Sequence, residues 1–267
     1  PLSANQTCTV LQYADDTLIL LKGQRDDASR LKSSLDLFSS LTGLKINFNK
    51  SVTVPMHMSD NHIQQITSYV GCRLGDFPQT TYLGLFLSPT KLRIQLFSPT
   101  IAKIDQYLAG WQSSLQNPMG HLILINSVLD SHLNYIMSVV QLPKGAGHKL
   151  NQRRRGFLWF SKDVAPGARC LVPWDTVLGS KSVGGLSIQD LMLFNTCLQL
   201  KLIHRLYTSY CSSYGVRVRC HACLASLTSD LPGPQWASLR SLLPIYRAIS
   251  TCEVYDGKST SFWYDVL

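Results

Sequence analysis

Four residues near the start of the chain, Tyr13-Ala14-Asp15-Asp16, have the types and spacing that metal chemistry uses. Two adjacent carboxylates stand between the apolar runs Val10-Leu11 and Leu18-Ile19-Leu20-Leu21. Short apolar runs around a polar tip predict two strands joined by a hairpin turn. The tip then holds at least one aspartate where a cation can reach it. Magnesium prefers one or two carboxylates together with substrate phosphates, so the pair has the makings of half of a two-metal phosphoryl-transfer site. Asp-Asp also fits a plain turn, because Asp caps turns through its own backbone. On these residues alone both readings stand. Cys220-His221-Ala222-Cys223 is a second constellation. A structural zinc site needs four ligands, commonly two such pairs. Only one pair is present, with Cys211 and Cys252 as further thiols, so zinc is not expected. A redox pair is not expected either, since no βαβ pattern surrounds it.

The elements that must position these residues belong to a chain of 267 residues, enough for one large or two modest domains. Its hydrophobic content of 45% supports a core, and its charged content of 15% argues against extended disorder. Lys+Arg number 25 against 16 Asp+Glu, a net charge of +9 that favours an anionic partner, nucleic acid first and a membrane surface second. Eight cysteines follow no small-domain disulfide framework, which places free thiols in a reducing, intracellular compartment. No apolar run reaches 18 residues, so no membrane partner is expected. No signal peptide opens the chain, and its first residue is Pro1 rather than Met, which points to a piece of something longer.

After the hairpin, Ala28, Leu31, Leu35, Phe38 and Leu41 recur at helical spacing. Asp26 or Asp27 is available as N-cap and Gly43 as the stop. Leu44, Ile46 and Phe48 alternate with polar residues, as in a half-buried strand. Asp60 can cap a short helix that ends at Gly71. Tyr82-Leu83-Gly84-Leu85-Phe86-Leu87 reads as a second hairpin. From about residue 90 the character changes to a helical bundle. One helix begins at Ser98-Pro99 and breaks at Asn117-Pro118; another runs through Leu122, Ile125, Leu129, Leu133 and Ile136 to Leu142-Pro143. Arg153-Arg154-Arg155 projects from a third. Beyond Ser161, Leu171 to Trp174 looks extended and Ile188 to Tyr207 is an amphipathic helix. Residues from about 208 to 250 resist placement, and Glu253 to Trp263 reads as another hairpin. The fold class is α+β.

The order of these pieces resembles the reverse transcriptase of plant non-long-terminal-repeat, LINE-like retrotransposons. The resemblance is carried by Leu11-Gln12-Tyr13-Ala14-Asp15-Asp16-Thr17, by Thr42-Gly43-Leu44-Lys45-Ile46-Asn47-Phe48-Asn49-Lys50-Ser51 and by Tyr82-Leu83-Gly84-Leu85. It continues through Leu124-Ile125-Asn126-Ser127-Val128-Leu129, Arg155-Gly156-Phe157-Leu158-Trp159, Gly184-Gly185-Leu186-Ser187-Ile188 and Asp256-Gly257-Lys258-Ser259-Thr260-Ser261-Phe262-Trp263. It implies three regions: the C-terminal part of a polymerase palm over 1–90, a thumb-like helical bundle over 91–160, and a connector over 161–267 ahead of a zinc-binding segment. It also implies RNA-directed DNA polymerisation by two-metal nucleotidyl transfer, with Mg2+ as cofactor, an RNA template and DNA primer as partners, and dNTP as substrate.

By the same resemblance Asp15 and Asp16 are the catalytic magnesium ligands, and Tyr13 and Ala14 lie near the primer terminus. Lys50 sits near the incoming triphosphate or is a solvated loop lysine. Gly84 belongs to a primer-grip hairpin, where a glycine lets nucleic-acid backbone approach, or to a plain core hairpin. Arg153, Arg154 and Arg155 are candidate phosphate contacts, since arginine pairs bidentately with phosphate oxygens; a solvated helix face is the other reading. Trp111 and Trp159 are expected in the core. The family's palm also draws an aspartate and fingers from preceding sequence, so the expectation is a polymerase portion inactive by itself. A non-catalytic nucleic-acid-binding remnant, or a functionless piece of a decayed element, is the alternative. A nuclear or cytoplasmic location fits each of these.

Overall fold

Gly43 ends the first long helix because it takes a left-handed conformation, φ 73°, from which its N–H donates back to the carbonyl of Ser39. That helix, α1 (Arg25–Thr42), follows an antiparallel hairpin of β1 (Val10–Tyr13) and β2 (Asp16–Ile19). Asp26 and Asp27 lie in its first turn, where they favour the helix dipole; Gln24 holds the N-cap position. In the computed structural model the described residues are 10–77, 80–88, 90–112, 117–160, 170–208, 213–223, 226–229 and 233–254. The chain divides into two compact units, Pro1–Pro89 and Thr90–Leu267. The whole is mixed α and β, mostly helical with a few short strands.

In the first unit, β3 (Val52–Thr53) and β4 (Arg73–Leu74) pair in parallel around α2 (Asp60–Val70), and β5 (Thr81–Tyr82) and β6 (Leu85–Phe86) form a second hairpin. Asp60 lies in the first turn of α2, while Ser59 occupies the cap position. The helices α1 and α2 pack through Lys32, whose ammonium donates to the Val70 carbonyl at 3.1 Å and lies 4.7 Å from the centre of the Phe48 ring. The strand expected over Leu44 to Phe48 does not form. Instead the Asn47 side chain accepts from the Lys50 N–H at 3.1 Å, closing a local turn that competes with any ladder.

The second unit is helical. Its elements are α3 (Ser98–Gln112), α4 (Pro118–Leu124), a π turn (Ile125–Leu129), α5 (Asp130–Val139), α6 (Lys144–Phe160), α7 (Trp174–Leu178), α8 (Leu191–Thr208), α9 (Ser213–His221), the hairpin of β7 (Ala222–Cys223) and β8 (Thr228–Ser229), and α10 (Pro234–Ile249). Asn117 opens α4 as a true cap, its side chain accepting from the Met119 N–H. One core joins Phe97, Leu108, Ile125, Leu133, Phe157, Trp174 and Leu191, so it runs without a break past Phe160 into the following segment. A second cluster gathers Ile203, Val218, Trp236 and Leu239. The extended reading of Leu171 to Trp174 gives way to a helical turn that begins at Trp174. The hairpin expected over Glu253 to Trp263 lies outside the described residues, apart from its first two positions.

Together α4, the π turn and α5 make a 22-residue helix, Pro118–Val139, long and apolar enough by length and composition alone to cross a membrane. In this chain it packs by one face, with Leu122, Ile125, Leu129, Leu133 and Met137 buried. Its C-terminal carbonyls cannot be satisfied within the helix. They are taken by side chains from later in the chain. The Asn195 amide donates to the carbonyls of Met137 (2.8 Å) and Val140 (2.9 Å), and its oxygen accepts from the Leu142 N–H at 2.8 Å. Gln235 reaches the Val139 carbonyl at 2.8 Å.

Asn195 is 3% exposed, so water cannot replace those bonds. Replacing it by Ala leaves the Val140 carbonyl and the Leu142 N–H without these partners and the Met137 carbonyl with Gln199 alone, at roughly 1–3 kcal/mol for each group left unpaired before relaxation. We expect Asn195→Ala to lower the unfolding free energy of the chain by about 3 kcal/mol, read from urea denaturation. A loss below about 0.5 kcal/mol, the range of a neutral surface change, would contradict the clamp.

Candidate functional site

The sequence-expected carboxylates sit at the tip of the first hairpin. The register pairs Tyr13 with Asp16, which leaves Ala14 and Asp15 as the two turn residues. Ala14 has φ 51° while Asp15 is not in the left-handed region, the sign pattern of a type II′ turn. This turn suits the twist of a hairpin, yet it prefers Gly at its first central position. An alanine there is strained by about 1–3 kcal/mol. The Gln12 side chain donates to the Ala14 carbonyl at 3.4 Å and helps to hold the turn. Tyr13, Ala14, Asp15 and Asp16 are all exposed. The carboxylates therefore face solvent from a tight, strained tip, where a cation has access to both.

The second hairpin turns at Leu83 and Gly84, with φ 52° and 75°. Two positive values are the mark of a type I′ turn, for which Gly84 is suited and Leu83 is not. The Tyr82 hydroxyl donates to the Leu11 carbonyl at 3.4 Å, so this hairpin lies beside β1, two residues from Tyr13. Gly84 and the Tyr13–Asp16 tip thus belong to neighbouring hairpins of one unit. Lys50 is exposed in the Asn47 turn, and among the described residues no ion pair joins it to Asp15 or Asp16. No group of three or more His, Cys, Asp or Glu able to hold a metal occurs among the described residues. Asp15 and Asp16 supply two exposed carboxylates, fewer groups than a two-metal clamp takes.

The three arginines of α6 go to different places. Arg153 makes a bidentate pair with Asp105 of α3, one arm being Nη2 to Oδ2 at 3.0 Å. Arg154 is 1% exposed. Its guanidinium donates to Asp130 Oδ2 (2.9 Å), the Asn151 side chain (2.9 Å) and the Gln189 carbonyl (2.8 Å). Arg155 lies 5.4 Å from the centre of the Trp174 ring. For Arg154 the expected phosphate contact is corrected here: a guanidinium buried on a carboxylate cannot reach a nucleic-acid backbone. Alternation on a helix turns successive residues by 100°, so three adjacent arginines cannot share a face. Trp111 and Trp159 both pack against the core, and Trp111 also stacks on Tyr107 with centroids 5.8 Å apart.

Asp130 itself carried no signal in the sequence beyond being the lone charge in an apolar helix. The π turn before it takes an extra residue per turn, and Asp130 ends up buried beside Leu129 and Leu133. Burial raises its carboxyl pKa from 3.8 to about 6, against the lowering pull of the Arg154 charge and hydrogen bond. Burial also lowers the pKa of Arg154, opposed by Asp130 and then by Asp190. Among the described residues Asp130 Oδ1 and Arg154 Nε have no hydrogen-bond partner. Desolvation outweighs attraction on both sides of the pair.

No family model matches the chain. A protein of Arabidopsis thaliana that carries the provisional name ribonuclease H protein is 26% identical over 177 residues, or 63% of this chain and 28% of that protein. The chain therefore spans less than a third of the length of this relative.

Two outcomes test this geometry. Removing one partner of a buried pair costs about 3–5 kcal/mol, whereas replacing both with apolar groups is often neutral or better. Asp130→Leu alone should strongly destabilise the chain, and Asp130→Leu with Arg154→Met should recover most of the loss in chemical denaturation. The pH dependence follows from linkage. Between about pH 4 and 6 the folded chain holds a proton on Asp130 that the unfolded chain has released. Stability from this group therefore rises as pH falls from about 7 toward 4, and Asp130→Asn abolishes that contribution. Urea melts of both proteins across this range give the comparison; an unchanged slope in the variant would contradict it.

Proposed function

We propose that the chain is a portion of the RNA-directed DNA polymerase of a plant LINE-like, non-LTR retrotransposon. The observation that carries this reading is the Tyr13–Asp16 tip, a type II′ turn with a strained alanine that exposes two adjacent carboxylates. Ala14 holds a left-handed conformation at this tip, as Leu83 does at the second hairpin, and strained backbone clusters at functional sites. The second hairpin lies beside it, and a separate helical unit follows, in the order that the resemblance requires. The net charge of +9 and a relative named as a ribonuclease agree with a nucleic-acid partner.

In this reading residues 1–90 form part of a palm, 91–160 a thumb and 161–267 a connector that shares the thumb's core. Asp15 and Asp16 would hold Mg2+, which supplies charge neutralisation at a transferring phosphoryl group when bound. Tyr13 and Ala14 border the place of the primer end, Gly84 lets its backbone come close, and Lys50 stands toward the triphosphate. The described carboxylates complete only part of a two-metal site, so the chain contributes the hairpin to catalysis and binds template and primer through its basic surface.

Terbium is a luminescent stand-in for a hard cation, and Tyr13 lies close enough in the hairpin to sensitise it. Terbium emission excited through tyrosine should appear with the wild-type chain and fall by most of its intensity in Asp15→Asn with Asp16→Asn. Equal emission from both proteins would remove the metal from the hairpin. Primer extension on an RNA template supplies the second arm: any template-directed synthesis should be lost in Asp15→Asn, and synthesis that survives this change would overturn the role of Asp15.

A further inference from the structure

We propose that the phosphate-contact surface of the helical unit is the first two turns of α6 together with the segment before α3, made of Arg93, Lys144, His148 and Lys149. This rests on the nucleic-acid reading above and names where it acts, in place of the arginine triplet. The helix α6 contains no acidic residue. Its buried side is formed by Ala146, Gly147, Leu150, Arg154, Phe157 and Leu158, which at 100° per residue leaves Lys144 and His148 on one exposed face and Lys149 at its margin. All three are exposed.

A second stretch of chain brings a further charge to this face. Ile94 rests on Gly145 so closely that a Cβ there would meet Ile94 Cδ1 at 2.8 Å. Arg93 and Lys144 are each one residue from that contact, within a Cα step of about 3.8 Å on either side. The contact of Ile94 on Gly145 thus brings the two basic segments side by side. Across α3, α6 and the 3-10 turn Ile94–Phe97, the lone acidic residue is Asp105, and Arg153 neutralises it. The surface is cationic and flanked by the positive end of a 17-residue helix. A patch of spaced lysine and arginine on elements whose one acidic residue is paired is complementary to a phosphate backbone, which it would hold without reading sequence.

The test is the salt dependence of binding to an RNA–DNA hybrid duplex. Each phosphate contact removed lowers the slope of log K against log salt by about 0.7 to 0.9. Arg93→Gln, Lys144→Gln and Lys149→Gln in one chain should reduce the slope by about 2. A matched variant on α8 and its approach, Lys181→Gln, Lys201→Gln and Arg205→Gln, changes the net charge equally and should reduce the slope by less than 1. Thermal melts equal to wild type confirm that both variants fold. Equal slopes for the two variants, or a wild-type slope retained by the α6 variant, overturn the proposal while leaving nucleic-acid binding intact. A wild-type chain that shows no salt-dependent binding overturns both.

Discussion

Everything in the helical unit is arranged around a carboxylate and a guanidinium that have been taken out of water. Each ion of such a pair carries a desolvation penalty of several kcal/mol even after relaxation. Asp130 and Arg154 recover part of it through three donated hydrogen bonds and the Trp174 ring, 5.9 Å from the guanidinium. The raised carboxyl pKa of Asp130 shows that recovery is incomplete. The pair therefore restricts geometry more than it adds stability. With Asp130 on α5, Arg154 on α6 and the Gln189 carbonyl just before α8, other registers of these helices would strand a charge in the core. The π turn belongs to the same constraint, because it sets the phase of the helix immediately before Asp130.

The polar clamp at the far end of α5 works by the same logic with neutral groups. Asn195 is hydrogen-bonded at both its oxygen and its nitrogen, so it is satisfied where the ion pair is not. Gln199 joins it at the Met137 carbonyl, 3.3 Å, although its own oxygen remains unpartnered. Apolar packing alone permits a helix to slide along its axis, because the hydrophobic effect has no direction. Two buried polar ties about two turns apart on one helix, at Asp130 and Met137, remove that freedom. They also make the segment after residue 170 inseparable from the bundle that precedes it.

Helix positions and both hairpins of the first unit were legible because apolar spacing and turn residues are local properties. Gly43 and Gly71 mark helix ends at the expected residues, each with positive φ. What periodicity could not tell is whether an apolar face is covered. Of the face Ala28, Leu31, Leu35, Phe38 and Leu41, Ala28 alone is fully buried, while Leu41 is 77% exposed. The Leu44–Phe48 strand failed for a related reason: alternation describes a chain that could join a sheet, and Asn47 supplies a local partner first. At the candidate site, the Asp15-Asp16 tip was readable from its neighbours, with at least one aspartate expected to be exposed; both are. The fate of Arg154 was not, because its partner lies 24 residues earlier on another helix.

The strain at Ala14 connects sheet burial to the chemistry of the tip. A left-handed alanine costs about 1–3 kcal/mol. Against it, the Gln12 bond to the Ala14 carbonyl is long and exposed, and a typical hydrogen bond contributes about 0.5–1.5 kcal/mol net. The ladder of a two-stranded hairpin is marginal in water. Leu11, Tyr13, Leu20 and Leu21 on its flanks are 45–67% exposed, so in this chain they add little. Fully burying one leucine is worth about 1.5–3 kcal/mol, as much as the strain itself. The carboxylate geometry at Asp15 and Asp16 is therefore held as firmly as the apolar flanks are covered. A surface seated on β1 and β2 would stiffen the tip without touching either aspartate, so the order of the two carboxylates follows the burial of the hairpin.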